Sequence, residues 1–263
     1  VGGNLTLTSG HASGIIDSST VTVGGNLVAT TDAANGSIHM DGLRVDGTVQ
    51  LTTNGSGNAT VVNDAGLNFA ASTVGGNLAA TATTGNMTDS GALTIAGTSS
   101  FTTSANNATI ALNTTTNAFT GAVTITTNDD SGTDADVTID GGTTALVLAA
   151  STIDGDLTVR SGNASGIADN EGTVTVGGNL AATTDANNGV INLTALAVNG
   201  TIAVVTNGAG GATVVNDAGL NLAASTVGGN LLATATTGNI TDSGTLTIAG
   251  ASTFITGASG SNI

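Results

Sequence analysis

The densest group of titratable side chains is NDDSGTDAD, residues 128–136, which carries Asp129, Asp130, Asp134 and Asp136. Carboxylates this close repel one another unless a cation lies between them. Hard oxygen ligands suit calcium, so these four aspartates are calcium candidates. The spacing is neither that of a helix–loop–helix calcium loop nor that of a glycine-rich nonapeptide repeat, and a solvated loop is the competing reading. His11 and His39 are the only histidines, and Arg44 and Arg160 are the only basic side chains. No serine–histidine–aspartate or cysteine–histidine set can be assembled from them. Catalysis needs convergent titratable groups. The chain therefore reads as non-enzymatic, with no catalytic residue and no cofactor-binding residue.

The charge balance narrows the partners. The net charge is −16, although only 8% of residues are charged. With two arginines there is almost nothing to neutralise phosphates, so nucleic acid is not an expected partner. The same scarcity argues against an anionic membrane surface. No apolar run approaches the ~18 residues of a membrane-spanning helix, so no membrane insertion is expected. Cysteine is absent, which fits a secreted protein that does not rely on disulfides. No signal peptide is visible. The chain opens on VGGNLTLTSG and stops on SGSNI, both mid-pattern, which reads as a portion of something longer.

Repetition is the dominant signal. VGGNL begins at residues 1, 23, 74, 176 and 227, and a degenerate copy, IDGDL, begins at 153. The order of the gaps shows a long unit of 153 residues that starts again. Residues 23–104 align without gaps on 176–257 at roughly 70% identity. The long units read as about 1–152 and a partial second copy, 153–263. His11 and His39 become Asn163 and Asn192 in the second copy, so exposed polar positions explain them better than chemistry does.

A finer rhythm runs inside each unit. LTLT, TVTV, ATVVND, ALTIAG and DLTVR place apolar residues at every second position, the period of a half-buried strand. Glycine, asparagine and aspartate punctuate them as turn residues. No stretch has helical apolar spacing, and Glu171 and Gln50 are single occurrences of their types. Disorder is disfavoured by the 39% hydrophobic content. The expected fold is all-β: one right-handed parallel β-helix of about twelve coils, each of about 20–25 residues. Its core is thin enough to be filled by valine and alanine. The turn asparagines Asn4, Asn26, Asn77, Asn179 and Asn230 are expected at corresponding corners, with the 51-residue gaps read as two coils. They either form amide ladders between coils or serve as left-handed turn residues.

The strings TGNMTDSGALTIAGTSSF (84–101), NNATIALNTTTNAFTGAVTIT (106–126) and LVLAASTIDGDLTV (146–159) resemble the repeats of filamentous haemagglutinin-type bacterial adhesins. The similarity is greatest to the biofilm-matrix adhesins of that group, large exoproteins exported by two-partner secretion. The resemblance implies an extracellular or cell-surface shaft that mediates attachment between cells, surfaces or matrix. On that reading the partners are further coils of the same protein, or like protomers, at both coil ends. Cell-surface or matrix carbohydrate is a further partner.

Two other classes stay open. One is a self-assembling extracellular filament or sheath subunit. The other is a carbohydrate-binding or carbohydrate-cleaving β-helix, since the fold also serves enzymes. Threonine-rich strands raise ice binding as well, but β propensity alone predicts such strands. Triplets such as those at Asn58, Asn107 and Asn239 fit the glycosylation pattern, and chance accounts for them in a chain this rich in asparagine and threonine.

Overall fold

The computed structural model describes residues 1–128, 134–170 and 172–263. These residues are all-β, with parallel strands stacked as a β-solenoid of about twelve coils and no helix among them. The chain divides into two compact units, Val1–Asn128 and Asp129–Ile263. That division falls inside the 153-residue sequence unit rather than at its end.

In the first unit each coil passes once through each of two sheets. In one sheet Leu5–Ser9 lies beside Leu27–Thr31, followed by Thr48–Thr52. Next come the split strands Leu67–Phe69 with Ser72–Val74, then Met87–Asp89 with Leu93–Ile95. In the other sheet Ile38–Val45, Ala59–Asn63, Leu78–Ala82, Ser99–Thr103 and Val123–Thr126 stack in that order. The alternation in the sequence becomes alternation of burial: Leu78, Ala80 and Ala82 are buried, while Ala79 and Thr81 lie on the outer side. Because the coils are in register, inner residues form columns. One column runs Met40, Val61, Ala80, Phe101, Ile125. The small Ala80 sits next to the large Phe101, which meets Phe119 edge-on at 5.8 Å between ring centroids.

The second unit repeats the plan. One sheet stacks Val137–Asp140, Leu157–Ser161, Leu180–Asn187 and Thr201–Asn207. The other stacks Ile191–Val198, Ala212–Asn216, Leu231–Ala235 and Ser252–Thr256. The duplication in sequence is a duplication of structure: Ala59–Asn63 recurs as Ala212–Asn216 and Leu78–Ala82 as Leu231–Ala235.

The register corrects one expectation about the corners. VGGNL at residues 1, 23 and 176 leads into the first sheet of its unit, at Leu5, Leu27 and Leu180. The copies at 74 and 227 lead into the second, at Leu78 and Leu231. A 51-residue gap is therefore two and a half coils, not two. The motif encodes a type of corner, and each unit uses that type at both of its junctions between sheets.

Phe101→Ala should cost about 3–5 kcal/mol, because the ring fills a column that its neighbours cannot close. Thr81→Ser on the outer side should change stability by less than about 0.5 kcal/mol. Urea unfolding of the two variants checks both values.

Candidate functional site

Polar side chains concentrate at the corners, and there they have an identifiable task. A corner must turn the chain while its backbone groups still find partners in the next coil. The glycines do this directly: Gly76 N–H donates to the Gly57 carbonyl at 2.9 Å, and Gly97 N–H donates to the Gly76 carbonyl at 2.9 Å. The residue after each glycine is served by a side chain. Asn77 N–H donates to Asn58 Oδ1 at 2.8 Å, and Thr98 N–H donates to Asn77 Oδ1 at 2.9 Å. The same step links Asn4 to Asn26 and Asn26 to Thr48, each at 2.9 Å. In the second unit it links Asn179 to Thr201 at 2.8 Å and Asn230 to Ala251 at 2.9 Å. Aspartate takes the role in IDGDL, where Asp156 accepts from Asn179 N–H at 2.6 Å.

This arrangement explains the pairing of glycine with asparagine in the motif. The carboxamide oxygen sits where a Cβ on the glycine of the next coil would be. A Cβ at Gly25 would collide with Asn4 Oδ1, one at Gly76 with Asn58 Oδ1, and one at Gly97 with Asn77 Oδ1. The asparagines of VGGNL are thus ladder residues whose oxygen meets backbone N–H rather than another amide. Left-handed asparagines do occur, at Asn35 (φ 63°), Asn107 (φ 61°) and Asn188 (φ 64°), but none belongs to VGGNL.

Other polar groups repair irregularities. In the first unit the pairing of Ile38–Val45 with Ala59–Asn63 shifts register between Met40 and Leu43. Asn63 is fully buried there. Its Oδ1 accepts from Val45 N–H at 2.8 Å, and its Nδ2 donates to the Val45 and Gly66 carbonyls at 3.1 and 2.6 Å. The carboxamide stands in for a missing peptide group of the ladder. Asn216 does the same for Val198 and Gly219 at 2.8, 3.1 and 2.7 Å. Sequence reasoning missed both residues. The signal was present in ATVVN, where an asparagine occupies the inward phase of the alternation. Carboxylates clip the bulges. Asp17 accepts from the successive N–H groups of Asp41 and Gly42 at 3.3 and 3.0 Å. Asp169 accepts from Thr194 and Ala195, both at 2.6 Å.

The remaining candidates do not converge. His11 Nδ1 accepts from Ser13 N–H at 3.1 Å, and Asn163 Oδ1 accepts from Ser165 N–H at 2.8 Å, so each side chain caps the same turn. His39 is half exposed beside Asp41 at 3.4 Å. Arg44 is exposed. Arg160 pairs with Asp185 through Nε and Nη2 at 2.7 and 3.0 Å. Hydrogen bonding to that carboxylate, followed by its charge, raises the arginine's pKa further above its ordinary value. Of the calcium candidates, Asp129 and Asp130 lie outside the described residues. Asp134 and Asp136 are exposed, and Asp136 Oδ1 accepts from Asp156 N–H at 2.8 Å. Among the described residues no three acidic or histidine side chains form a group that could hold a metal. Threonines do align on the outer side of the first unit, as Thr8, Thr30, Thr52, Thr73 and Thr94. The column beside it holds Thr6, Val28 and Gln50, so the row is a single file.

A family model described as repeats of unknown function (DUF5649) matches residues 56–126 and 209–263. The two matched segments begin at equivalent points of the long repeat. Searches of curated proteins and of solved structures gave no match.

Gly76→Ala should destabilise by about 1–3 kcal/mol, because Asn58 Oδ1 and the Ser56 carbonyl occupy the space. Gly10→Ala, with nothing within 4 Å of the added methyl, should change stability by less than about 0.5 kcal/mol. Denaturant midpoints of the pair check the interlock. Asn63→Ala and Asn216→Ala should each cost about 1–3 kcal/mol, by leaving buried backbone groups unpaired. Asn63→Asp should cost more than Asn63→Ala, since it removes the donor and buries a charge. Calorimetry of the three variants checks the order.

Proposed function

We propose that this chain is a segment of the structural shaft of a large extracellular adhesin, of the filamentous haemagglutinin type that its repeats resemble. The shaft holds a binding region away from the cell surface, or ties cells to one another and to the biofilm matrix. The observation that carries this reading is where the polar chemistry goes. Asparagines, aspartates and glycines at the corners are used to join each coil to the next, and the same joints recur after 153 residues. A polymer that gains stability through neighbouring coils lengthens by duplicating a segment. Its product is length, which a stalk needs and an enzyme does not.

Two further features support a life outside the cell. The fold is held without cysteine, so it is indifferent to redox conditions. Arg44 and Arg160, the only positions open to trypsin-like cleavage, both lie within strands, Ile38–Val45 and Leu157–Ser161. Strand edges at coil ends are sites for adventitious pairing. In the native molecule further coils of the same protein, or like protomers, cover them.

Electron microscopy of native full-length material, combined with its polypeptide mass, tests the reading. A thin rod whose length matches one very large polypeptide is the expected result. Long filaments built from small subunits would replace the shaft with a self-assembling polymer.

A further inference from the structure

In the second unit a line of exchanges between the two copies of the long repeat gives a groove its character. Val190, Gly211, Asn230 and Ala251 sit at the same junction in four successive coils, each just before the stacked residues Ile191, Ala212, Leu231 and Ser252. Beside them Asn192, Thr213, Leu232 and Thr253 form a row on the outer side of the sheet. Together they line an open groove of about 610 Å³. At about 4.8 Å per coil it extends for roughly 14 Å along the stack. The first copy has Ser37, Asn58, Ala79 and Thr98 where the second has Val190, Gly211, Leu232 and Ala251. Each exchange removes polarity or adds apolar surface. Val190 is 40% exposed, and Leu232 is half-buried.

One of these exchanges also undoes a corner joint. In the first unit Asn58 Oδ1 accepts from Asn77 N–H at 2.8 Å. The equivalent pair in the second unit is Gly211 and Asn230, and glycine has no side chain to offer. Among the described residues no other acceptor meets Asn230 N–H. Both residues line the groove, so a backbone donor stands open where the first unit holds a carboxamide oxygen. The glycine is not demanded by its backbone, because Gly211 is not among the residues with positive φ. The position carries an asparagine in the first copy without a change of fold.

We infer that this groove seats an uncharged aliphatic segment of a partner polypeptide. What the groove lacks is an amide oxygen next to aliphatic surface, and a peptide supplies both. Its carbonyl accepts from Asn230 N–H, as Asn58 Oδ1 does for Asn77, and an aliphatic side chain covers Val190 and Leu232. No charged and no aromatic residue lines the groove. A charged side chain would be desolvated there without a partner. On a chain of net charge −16 the groove is a place where a neutral segment meets no ionic group. Its size decides the extent of the partner. A volume of about 610 Å³ falls within the roughly 300–1,000 Å³ of small-ligand sites. A groove this short does not bury the roughly 800 Å² per partner of a stable pair of folded surfaces, which sets aside a second copy of the chain. The shaft reading does not depend on this inference, since a shaft with an empty groove is still a shaft.

The test is a titration of the intact chain with the blocked tripeptide acetyl-Ala-Leu-Ala-amide, read from backbone amide signals in nuclear magnetic resonance. The expected result is a saturable shift of the Asn230 amide, while Asn77, whose N–H is held by Asn58, does not move. Pentanol, which is aliphatic but has no carbonyl, and acetyl-Ala-Asp-Ala-amide should each bind about tenfold more weakly or worse. Gly211→Asn restores the oxygen of the first copy and should abolish the shift. Leu232→Ala also restores a first-copy residue and should weaken binding about fivefold or more. Circular dichroism and unfolding midpoints no lower than those of the parent chain show that both variants fold. No saturable shift at Asn230, an equal response to pentanol, or binding that survives Gly211→Asn overturns the proposal. A shift of Asn230 that follows the concentration of the chain alone would seat a second copy in the groove, and overturns it as well.

Discussion

Everything in this protein depends on giving each backbone N–H and C=O a partner in the next coil. Along the strands that is automatic, because parallel pairing does it residue by residue. At a corner the chain changes direction, and backbone pairing alone serves only part of the turn. The missing acceptor is a side-chain oxygen that reaches from one coil to the N–H of the next, as Asn77 does for Thr98. That oxygen needs space, and the space is the absent side chain of a glycine. Glycine and asparagine are therefore one device split across two coils. This is why glycine and asparagine stand together in VGGNL.

The same economy accounts for part of the acidity. Aspartates at Asp17 and Asp169 accept paired backbone N–H groups at bulges, and Asp156 replaces an asparagine at a corner. They are acceptors first and charges second. With almost no basic residues to offset them, the sum is a net charge of −16. Buried polarity follows the rule as well. Asn63 and Asn216 lie in a core of valine, leucine and alanine, and each completes a ladder that a register shift has interrupted. The core is filled mainly by leucine, isoleucine and valine, with alanine as the small filler, and Phe101 fits where its neighbour in the column is Ala80.

Much of this was legible in the residues. Alternation in stretches such as LTLT and ATVVND identified strands, and the exact recurrence of whole phrases identified a solenoid. The corner assignment was not legible, because VGGNL looks the same whichever sheet it enters, and only the pairing of Leu78 with Ala59 and Ser99 separates it from Leu27 with Leu5 and Val49. Nor could the sequence say which asparagines turn left-handed. Those are Asn35, Asn107 and Asn188, while the motif asparagines act through their side chains. The exchange of His11 for Asn163 was legible in the duplication, and the structure gives both side chains the same task, accepting a turn N–H. The buried asparagines were overlooked because turn residues are expected to sit in turns, and VVND reads as the start of one.

Amide hydrogen exchange at Thr98 measures the central device most directly. Its N–H lies at an exposed corner and is paired only with the Asn77 side chain. The account predicts that Thr98 exchanges as slowly as neighbouring strand amides. It also predicts that Asn77→Ala speeds exchange there while the N–H of Gly97, bonded to a backbone carbonyl, stays protected. Rapid exchange at Thr98 in the native protein, or protection that survives Asn77→Ala, would contradict it.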